Sequence, residues 1–172
     1  MAQHIIVTEY NAEWADMFKK EAELIKNILK ENCVEIYHIG STSVKGLKAK
    51  PIIDIMPVVR SLQKVDKIAR EFEKIGYEYL GEFGIAGRRY LRKGGNERTH
   101  QIHIFEENNK TDIERHIAVR DYLRAHKSVA DEYGQLKEKL ALLFPYDIDG
   151  YCDGKDEFVK KLEKTALEWK NK

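Results

Sequence analysis

The residues with the clearest chemical potential lie in one short stretch. His38-Ile39-Gly40-Ser41-Thr42-Ser43 is followed, after Lys50-Pro51, by the apolar run Ile52-Ile53-Asp54-Ile55-Met56. A glycine at a strand end lets the backbone turn tightly. If a short helix begins over 41–47, its free N–H groups and the hydroxyls of Ser41, Thr42 and Ser43 point at one spot, suiting the terminal phosphates of a nucleotide. Asp54 on the next strand would lie beside that spot, able to hold a magnesium or manganese ion bridging the phosphates. The plain alternative is a polar turn and an aspartate that caps a loop.

Other polar residues could join this site. His100 and His103 are three apart, so on a strand they face opposite ways and cannot bind one metal together. His38 and His103 could meet across neighbouring strands near Asp54, where two imidazoles and a carboxylate would suit zinc, manganese or iron as well as magnesium. Alternatively, His38 packs beneath the Gly-Ser turn and bonds a backbone carbonyl. Arg88, Arg89, Arg92, Lys93 and Arg98 form a basic cluster. On a strand, Arg88 and Arg92 share a face with Tyr90 while Arg89 and Lys93 share the other, so one pair could line a phosphate pocket and the other a solvent face. Lys45, Lys48 and Lys50 lie around the turn, and Arg120 and Arg124, one helical turn apart, have anion-clamp spacing. For any one arginine, a salt bridge to a neighbouring acid such as Asp121 is the simpler account.

The elements that must position these residues follow from pattern. Asn11 can cap a helix over 11–30 with Trp14, Phe18, Ala22, Ile25 and Leu29 on one stripe. Residues 34–39 read as a strand ended by Gly40, and 51–59, apolar on both faces, as a central buried strand. Asp54 is its one charged residue. Ser61 opens a helix striped by Val65, Ile68, Ala69, Phe72 and Ile75 and stopped by Gly76. Strands follow over 77–80, 88–93 and 101–106, separated by glycine-bearing turns. The last third reads as about three helices, with a capping box at Thr111 and Glu114 and further starts near Ser128 and Lys155. The pattern is α/β first, with about three helices appended. The expected division is an α/β core over about 1–107 and helices over 108–172 of one domain. A polar cleft lined by Ser41, Ser43, Asp54, Arg88, Arg92 and His103 is expected between sheet and helices.

Composition narrows the partners. The chain has 172 residues, 42% hydrophobic and 34% charged, enough for one core beneath a solvated surface. Thirty basic against twenty-nine acidic residues argue against a general nucleic-acid or anionic-membrane binder. No apolar run reaches membrane-spanning length, and residues 1–20 lack the uninterrupted apolar segment of a signal peptide. Cys33 and Cys152, the only cysteines, are too few for a disulfide scaffold or cysteine-built zinc site. The expectation is a cytoplasmic protein whose partner is a small anionic molecule, with oligomeric state open.

The spacing from Gly40-Ser41 to apolar-Asp54-apolar resembles the signature of the nucleotidyltransferase superfamily fold. The run 38–55 closely resembles the GrpB family, which is assigned to that fold and is also met fused to dephospho-CoA kinase. The likeness continues through Gly81-Glu82, Gly87-Arg88-Arg89-Tyr90, Arg98-Thr99-His100-Gln101-Ile102-His103, Arg120-Asp121-Tyr122-Leu123-Arg124, Tyr133 with Lys137, and Tyr151 with Lys155. It implies an α/β (α+β) fold with a mixed, largely antiparallel sheet, helices on one face and a C-terminal helical subdomain, in which the Gly40-Ser41 turn holds phosphates and Asp54 holds a metal. It also implies appended helices that close over a nucleotide, where Tyr133 can stack on a base and Lys137 can reach a phosphate. In the bland reading the tyrosines only brace the helices against the sheet.

The chain departs from active nucleotidyltransferases, which usually carry a second carboxylate two residues after the first and a third on a nearby strand. Position 56 is Met, which cannot serve a hard cation, and the later strand offers Gln101 and His103. Glu82 could swing in as a substitute. The expected functions are therefore nucleotidyl transfer from a nucleoside triphosphate to a small acceptor, or a non-catalytic domain binding a nucleotide or a phosphometabolite related to coenzyme A. Fusion to another enzyme also suggests an interaction or folding-assistance module. The expected site comprises Asp54 and His103 as catalytic residues; Gly40, Ser41, Thr42, Ser43, Lys50, Arg88, Arg92, Arg120, Tyr133 and Lys137 around the nucleotide; and Asp54, His103 and Glu82 around magnesium or manganese.

Overall fold

The computed structural model describes residues 3–172; Met1 and Ala2, the first two positions of the segment read above as lacking a signal peptide, lie outside the described residues. Helix α1 (Glu13–Leu29) begins where Asn11 Oδ1 accepts the Glu13 N–H at 2.9 Å, satisfying one of the donors that a helix start leaves without a partner. Strands β1 (Cys33–Ile39), β2 (Ile53–Val59), β3 (Tyr77–Tyr79), β4 (Arg88–Lys93) and β5 (His100–Glu106) form one sheet in the order β1-β2-β5-β4-β3. Only β2 and β5 run parallel, so the sheet is mixed and largely antiparallel, as the family resemblance implied.

Alternation along each strand divides the sheet's side chains between two layers. On one face Ile53, Ile55, Val59, Leu91, Ile102 and Ile104 pack beneath α1, α2 (Leu62–Lys67) and α3 (Ala69–Glu73), against Ile25, Val65 and Phe72. Each fully buried aliphatic or aromatic side chain here contributes roughly 1.5–3 kcal/mol. The other face carries Asp54, Met56, His103 and Phe105. There, Met56 and Phe105 pack with Ile39 and with Ile113 and Ile117 of α4 (Lys110–Ala125). β2 is thus covered on both sides, which is why its sequence is a nearly unbroken apolar run.

α5 (Lys127–Leu143) and α6 (Ile148–Lys170) complete the helical C-terminal part. Three boundaries differ from the sequence pattern. The expected helix after Ser61 is interrupted at Ile68 (φ −112°, ψ 18°), although Ser61 does cap it, accepting the Lys64 N–H at 3.3 Å. α4 is capped not by a Thr111–Glu114 box but by Asn109, whose Oδ1 accepts the Asp112 N–H. α6 starts at Ile148 under an Asp147 cap, well before Lys155. Gly154, inside α6, allows close packing: a Cβ there would fall 2.3 Å from Leu140 Cδ2 of α5. Among the described residues no helix is long and apolar enough to cross a membrane.

Arg89 and Lys93 face the α1–α3 layer rather than open solvent. Arg89 Nε donates to Asp66 Oδ1 at 2.8 Å, and Lys93 donates to buried Glu21, which also accepts the Tyr77 hydroxyl at 2.7 Å. Burial pushes the Glu21 carboxyl up, but the Lys93 and Tyr77 hydrogen bonds and the Lys93 charge outweigh it and hold the group below the ordinary 4.5. A carboxylate lowered on folding stabilises fully above its unfolded value, and the contribution is lost as pH falls through the folded one. Glu21→Ala should therefore cost about 3–5 kcal/mol at pH 7 by leaving the Lys93 charge without its buried partner. Urea unfolding of both proteins from pH 7 down to pH 3 checks this: the gap should narrow towards the acid end, and a gap independent of pH would contradict the assignment.

Candidate anion-binding site

The register of β1 on β2 sets Ile39 opposite Asp54, so the backbone leaving β1 passes directly over the Asp54 carboxylate. Gly40 is required there twice. Its φ is +71°, and a Cβ would lie 2.7 Å from Asp54 Oδ2. The chain then makes a single 3-10 turn, Ser41–Ser43, not the helix over 41–47 expected from the sequence. The amides of Ser43 and Val44 donate back to the Gly40 and Ser41 carbonyls at 3.1 and 3.2 Å. Ser43 Oγ also bonds the Gly40 carbonyl, and Thr42 Oγ1 bonds His38 Nε2 at 2.9 Å. Of the three hydroxyls grouped from sequence, only Ser41 presents its oxygen to the helical part.

Facing the turn is a cavity of about 210 Å³ between Gly40–Thr42, Asp54 and the helices α5 and α6. Lys137 Nζ donates to Ser41 Oγ at 2.6 Å and stands 4.4 Å from the Tyr133 ring centroid. Lys50 and Lys155 stand 5.1 and 5.2 Å from the ring of Tyr151. Among the described residues none of these three lysines has a carboxylate within ion-pair distance. Burial, then repulsion from Lys155 and Lys50, pushes Lys137 well below an ordinary lysine; burial and Lys155 lower Lys50 as well. Asp54 is the single acid in the cavity wall. Its Oδ1 meets His103 Nε2 at 3.0 Å and accepts, at 2.8 Å, from the Gln101 amide in the orientation that satisfies its neighbours.

The structure therefore brings together Gly40, Ser41, Thr42, Lys50, Asp54, Tyr133 and Lys137, with His103 behind Asp54. It does not bring in the rest of the expected set. Ser43 is bound within its own turn. Arg88 holds the loop before β4, donating to the Glu82 and Phe83 carbonyls at 3.3 and 2.9 Å and meeting His103 Nδ1 at 3.4 Å. Arg92 pairs with Glu78 at 3.1 Å. Arg120 and Arg124 do form a clamp, but on backbone: they hold the His38 and Ser43 carbonyls at 3.3 and 2.7 Å, and Arg120 also pairs with Asp121. Lys48 pairs with Glu138 and Glu9. The expected cleft narrows to a lysine pocket.

The metal set is likewise corrected. His38 stacks on Phe18 of α1 at 4.7 Å, on the face opposite His103, and bonds a hydroxyl rather than a carbonyl; burial pushes it down to about 4, so it is neutral at pH 7. Glu82 spends its carboxylate on the Gly87 N–H at 2.7 Å. Met56, where a second acid would stand, is wholly buried under α4. Among the described residues no three His, Cys, Asp or Glu side chains are placed to share an ion. Hard divalent cations take several oxygen ligands, so the donors present do not fit a magnesium or manganese pair. Gln101, Tyr151 and Lys155 were not in the expected set. Lys155 follows Tyr151 by one helical turn, a spacing that points both at the pocket only once α6 is known to begin at Ile148.

The family model of the GrpB protein matches residues 4–165. The chain belongs to the GrpB family. A solved GrpB from Enterococcus faecalis is similar over 97% of this chain and all of that one, with TM-score 0.95 and 53% identity. Among curated relatives, YqkA of Bacillus subtilis, a UPF0157 protein, is 47% identical over 161 residues, covering 94% of this chain and 47% of YqkA; the chain thus spans about half of that relative. The glutamate-rich protein GrpB of Alkalihalophilus pseudofirmus is 36% identical, covering 92% of this chain and 93% of that one. Cid1 poly(U) polymerase, in its form with magnesium and 3′-dATP, matches with TM-score 0.54 at 13% identity over 78% of this chain and 44% of Cid1. That likeness shows the nucleotidyltransferase-like fold.

In this GrpB chain the second acid position is packed shut rather than merely substituted. Met56→Asp should therefore cost about 3–5 kcal/mol, because a carboxylate would be buried among Ile39, Phe105, Ile113 and Ile117 without a partner. Thermal and urea unfolding with and without 10 mM magnesium, roughly the concentration of a saturating screen, should show no rescue by the ion. Rescue would mean that the position still opens to a metal site.

Proposed function

We propose that this chain binds the phosphate end of a small phosphorylated ligand, a nucleotide or a phosphometabolite of the coenzyme A kind, and does so without metal-dependent nucleotidyl transfer. The observation that carries this reading is the convergence of Lys50, Lys137 and Lys155 on one small pocket whose wall holds a single carboxylate. Desolvated ammonium groups without anionic partners are costly. Such groups persist where a ligand supplies the missing charge, and function there opposes stability. A polyphosphate brings that charge, and Ser41 Oγ with the lysines supplies its hydrogen bonds. Asp54, held by His103 and Gln101, keeps the turn and the strand at a fixed separation. Transfer would need oxygen ligands where Met56 is packed, and this favours the binding reading over the catalytic one. The nucleotide-bound forms of Cid1 put nucleotides first among the ligands to test.

Lys137 gives the reading a pH signature. Its folded value is lowered, so the ammonium form costs the empty protein stability below that value, and stability recovers as pH rises through it. A bound phosphate favours the ammonium and reverses the shift. Tripolyphosphate and ATP should therefore bind in the presence of EDTA, with proton uptake in calorimetry across buffers of different ionisation enthalpy and with affinity falling as pH rises. Lys137→Met should melt at the same or a higher temperature than wild type and bind tripolyphosphate at least about tenfold more weakly, in line with the loss of a charge-assisted hydrogen bond. Unchanged affinity in Lys137→Met would overturn the pocket assignment.

A further inference from the structure

We propose that the groove adjoining the lysine pocket, between Pro51-Ile52 and Tyr146, is a second subsite that takes a planar, hydrogen-bond-accepting half of the same ligand; this rests on the phosphate-pocket reading above. Size makes the first argument. The lysine pocket holds about 210 Å³, whereas sites enclosing a whole cofactor-sized molecule run to roughly 300–1,000 Å³. Something beyond the phosphates must lie outside it. Lys50 and Ile52 line both this pocket and a neighbouring groove of about 670 Å³, so the groove adjoins the pocket on its Lys50 side.

The aromatic rings inside the pocket cannot take a planar group. Tyr133 is stacked on Phe158 at 5.2 Å and carries the Lys137 ammonium, which engages both of its faces. Tyr151 is wholly buried beside Lys50 and Lys155. The groove is different. Tyr146 is 60% exposed and stacks on His4 with ring centroids 4.7 Å apart; Ile6, 49% exposed, adds a second open apolar surface. Across from them Arg98 has a buried Nε with no hydrogen-bond partner among the described residues. A buried donor left unmade is costly, and a small side-chain adjustment of Arg98, which lines the groove, would offer it to an acceptor on a heterocycle bound there. Both walls are held by backbone: Ile5 N–H donates to the Pro145 carbonyl at 2.7 Å, and Ile53 N–H to the Thr99 carbonyl at 2.9 Å. The subsite is thus formed before the ligand arrives, with an apolar floor, an exposed ring and one unsatisfied donor.

The test compares tripolyphosphate with ATP, UTP and coenzyme A by calorimetry, on wild type, Tyr146→Ala, Arg98→Met and Lys137→Met. At least one of the three larger ligands should bind wild type about tenfold or more tighter than tripolyphosphate, the gain that one stacked base supplies. Tyr146→Ala, at an exposed position where folding is not at stake, should remove that gain and leave tripolyphosphate within about twofold, well under one stacking contribution. Arg98→Met should weaken the larger ligand and spare tripolyphosphate, while Lys137→Met should weaken both. If no larger ligand exceeds tripolyphosphate, or if Tyr146→Ala changes neither or weakens both alike, the subsite is overturned and the phosphate pocket stands. If wild type binds none of them, the pocket reading fails and the subsite with it.

Discussion

The close passage of Gly40 over Asp54 is the constraint from which the rest of the site follows. It exists because β1 pairs with β2 in a register that sets Ile39 against Asp54, and because only a residue without a Cβ can turn at φ +71° within reach of the carboxylate. The turn brings Ser41 towards α5, and the strand brings Asp54 beside Gln101 and His103 of β5. Side chains from the turn, two strands and two helices then share a cavity no wider than a phosphate group or two.

Much of the charge that surrounds this turn holds backbone. Arg120 and Arg124 reach from α4 to the carbonyls before and after Gly40, and Arg88 does the same for the loop before β4. A planar guanidinium with several fixed donors suits this work as well as it suits a phosphate. Carbonyls that a tight turn cannot satisfy within itself are thereby partnered. The lysines are left as the groups without partners, and their point charges fit a flexible anion better than a backbone cage. The arginines of the cleft thus hold backbone, while Lys50, Lys137 and Lys155 line the pocket without a carboxylate partner among the described residues.

Met56 gives the face of β2 that carries Asp54 a packing role. On β2 it shares a face with Asp54, the arrangement in which nucleotidyltransferases place paired acids. Here α4 lays Ile113 and Ile117 over it, and the position joins the second apolar layer. The apolar layer stabilises the contact between the sheet and the C-terminal helices, which in turn carry Lys137 and Lys155 to the pocket. The same face of β2 thus fastens the elements that carry the lysines.

The sequence by itself determined the strand and helix succession, the mixed sheet, the family and the central place of Gly40, Ser41 and Asp54. Those features rest on local causes: period-two and helical apolar spacing, a glycine at a strand end, and a lone charge in an apolar run. Only the tertiary structure decided which of the remaining polar residues belong to the site. Arg88, Arg92 and Arg120 carry the same charge as Lys50, Lys137 and Lys155, but the fold gives the arginines carbonyl and carboxylate partners, some near in sequence and some distant, and among the described residues leaves these lysines without a carboxylate. His38 and His103 could have met beside Asp54 in sequence terms, but the register puts them on opposite faces of the sheet. Gly154 shows its purpose only in the fold, where Leu140 of α5 comes too close for a Cβ. Pairing, facing and burial are set by contacts between distant segments, and no local pattern encodes them.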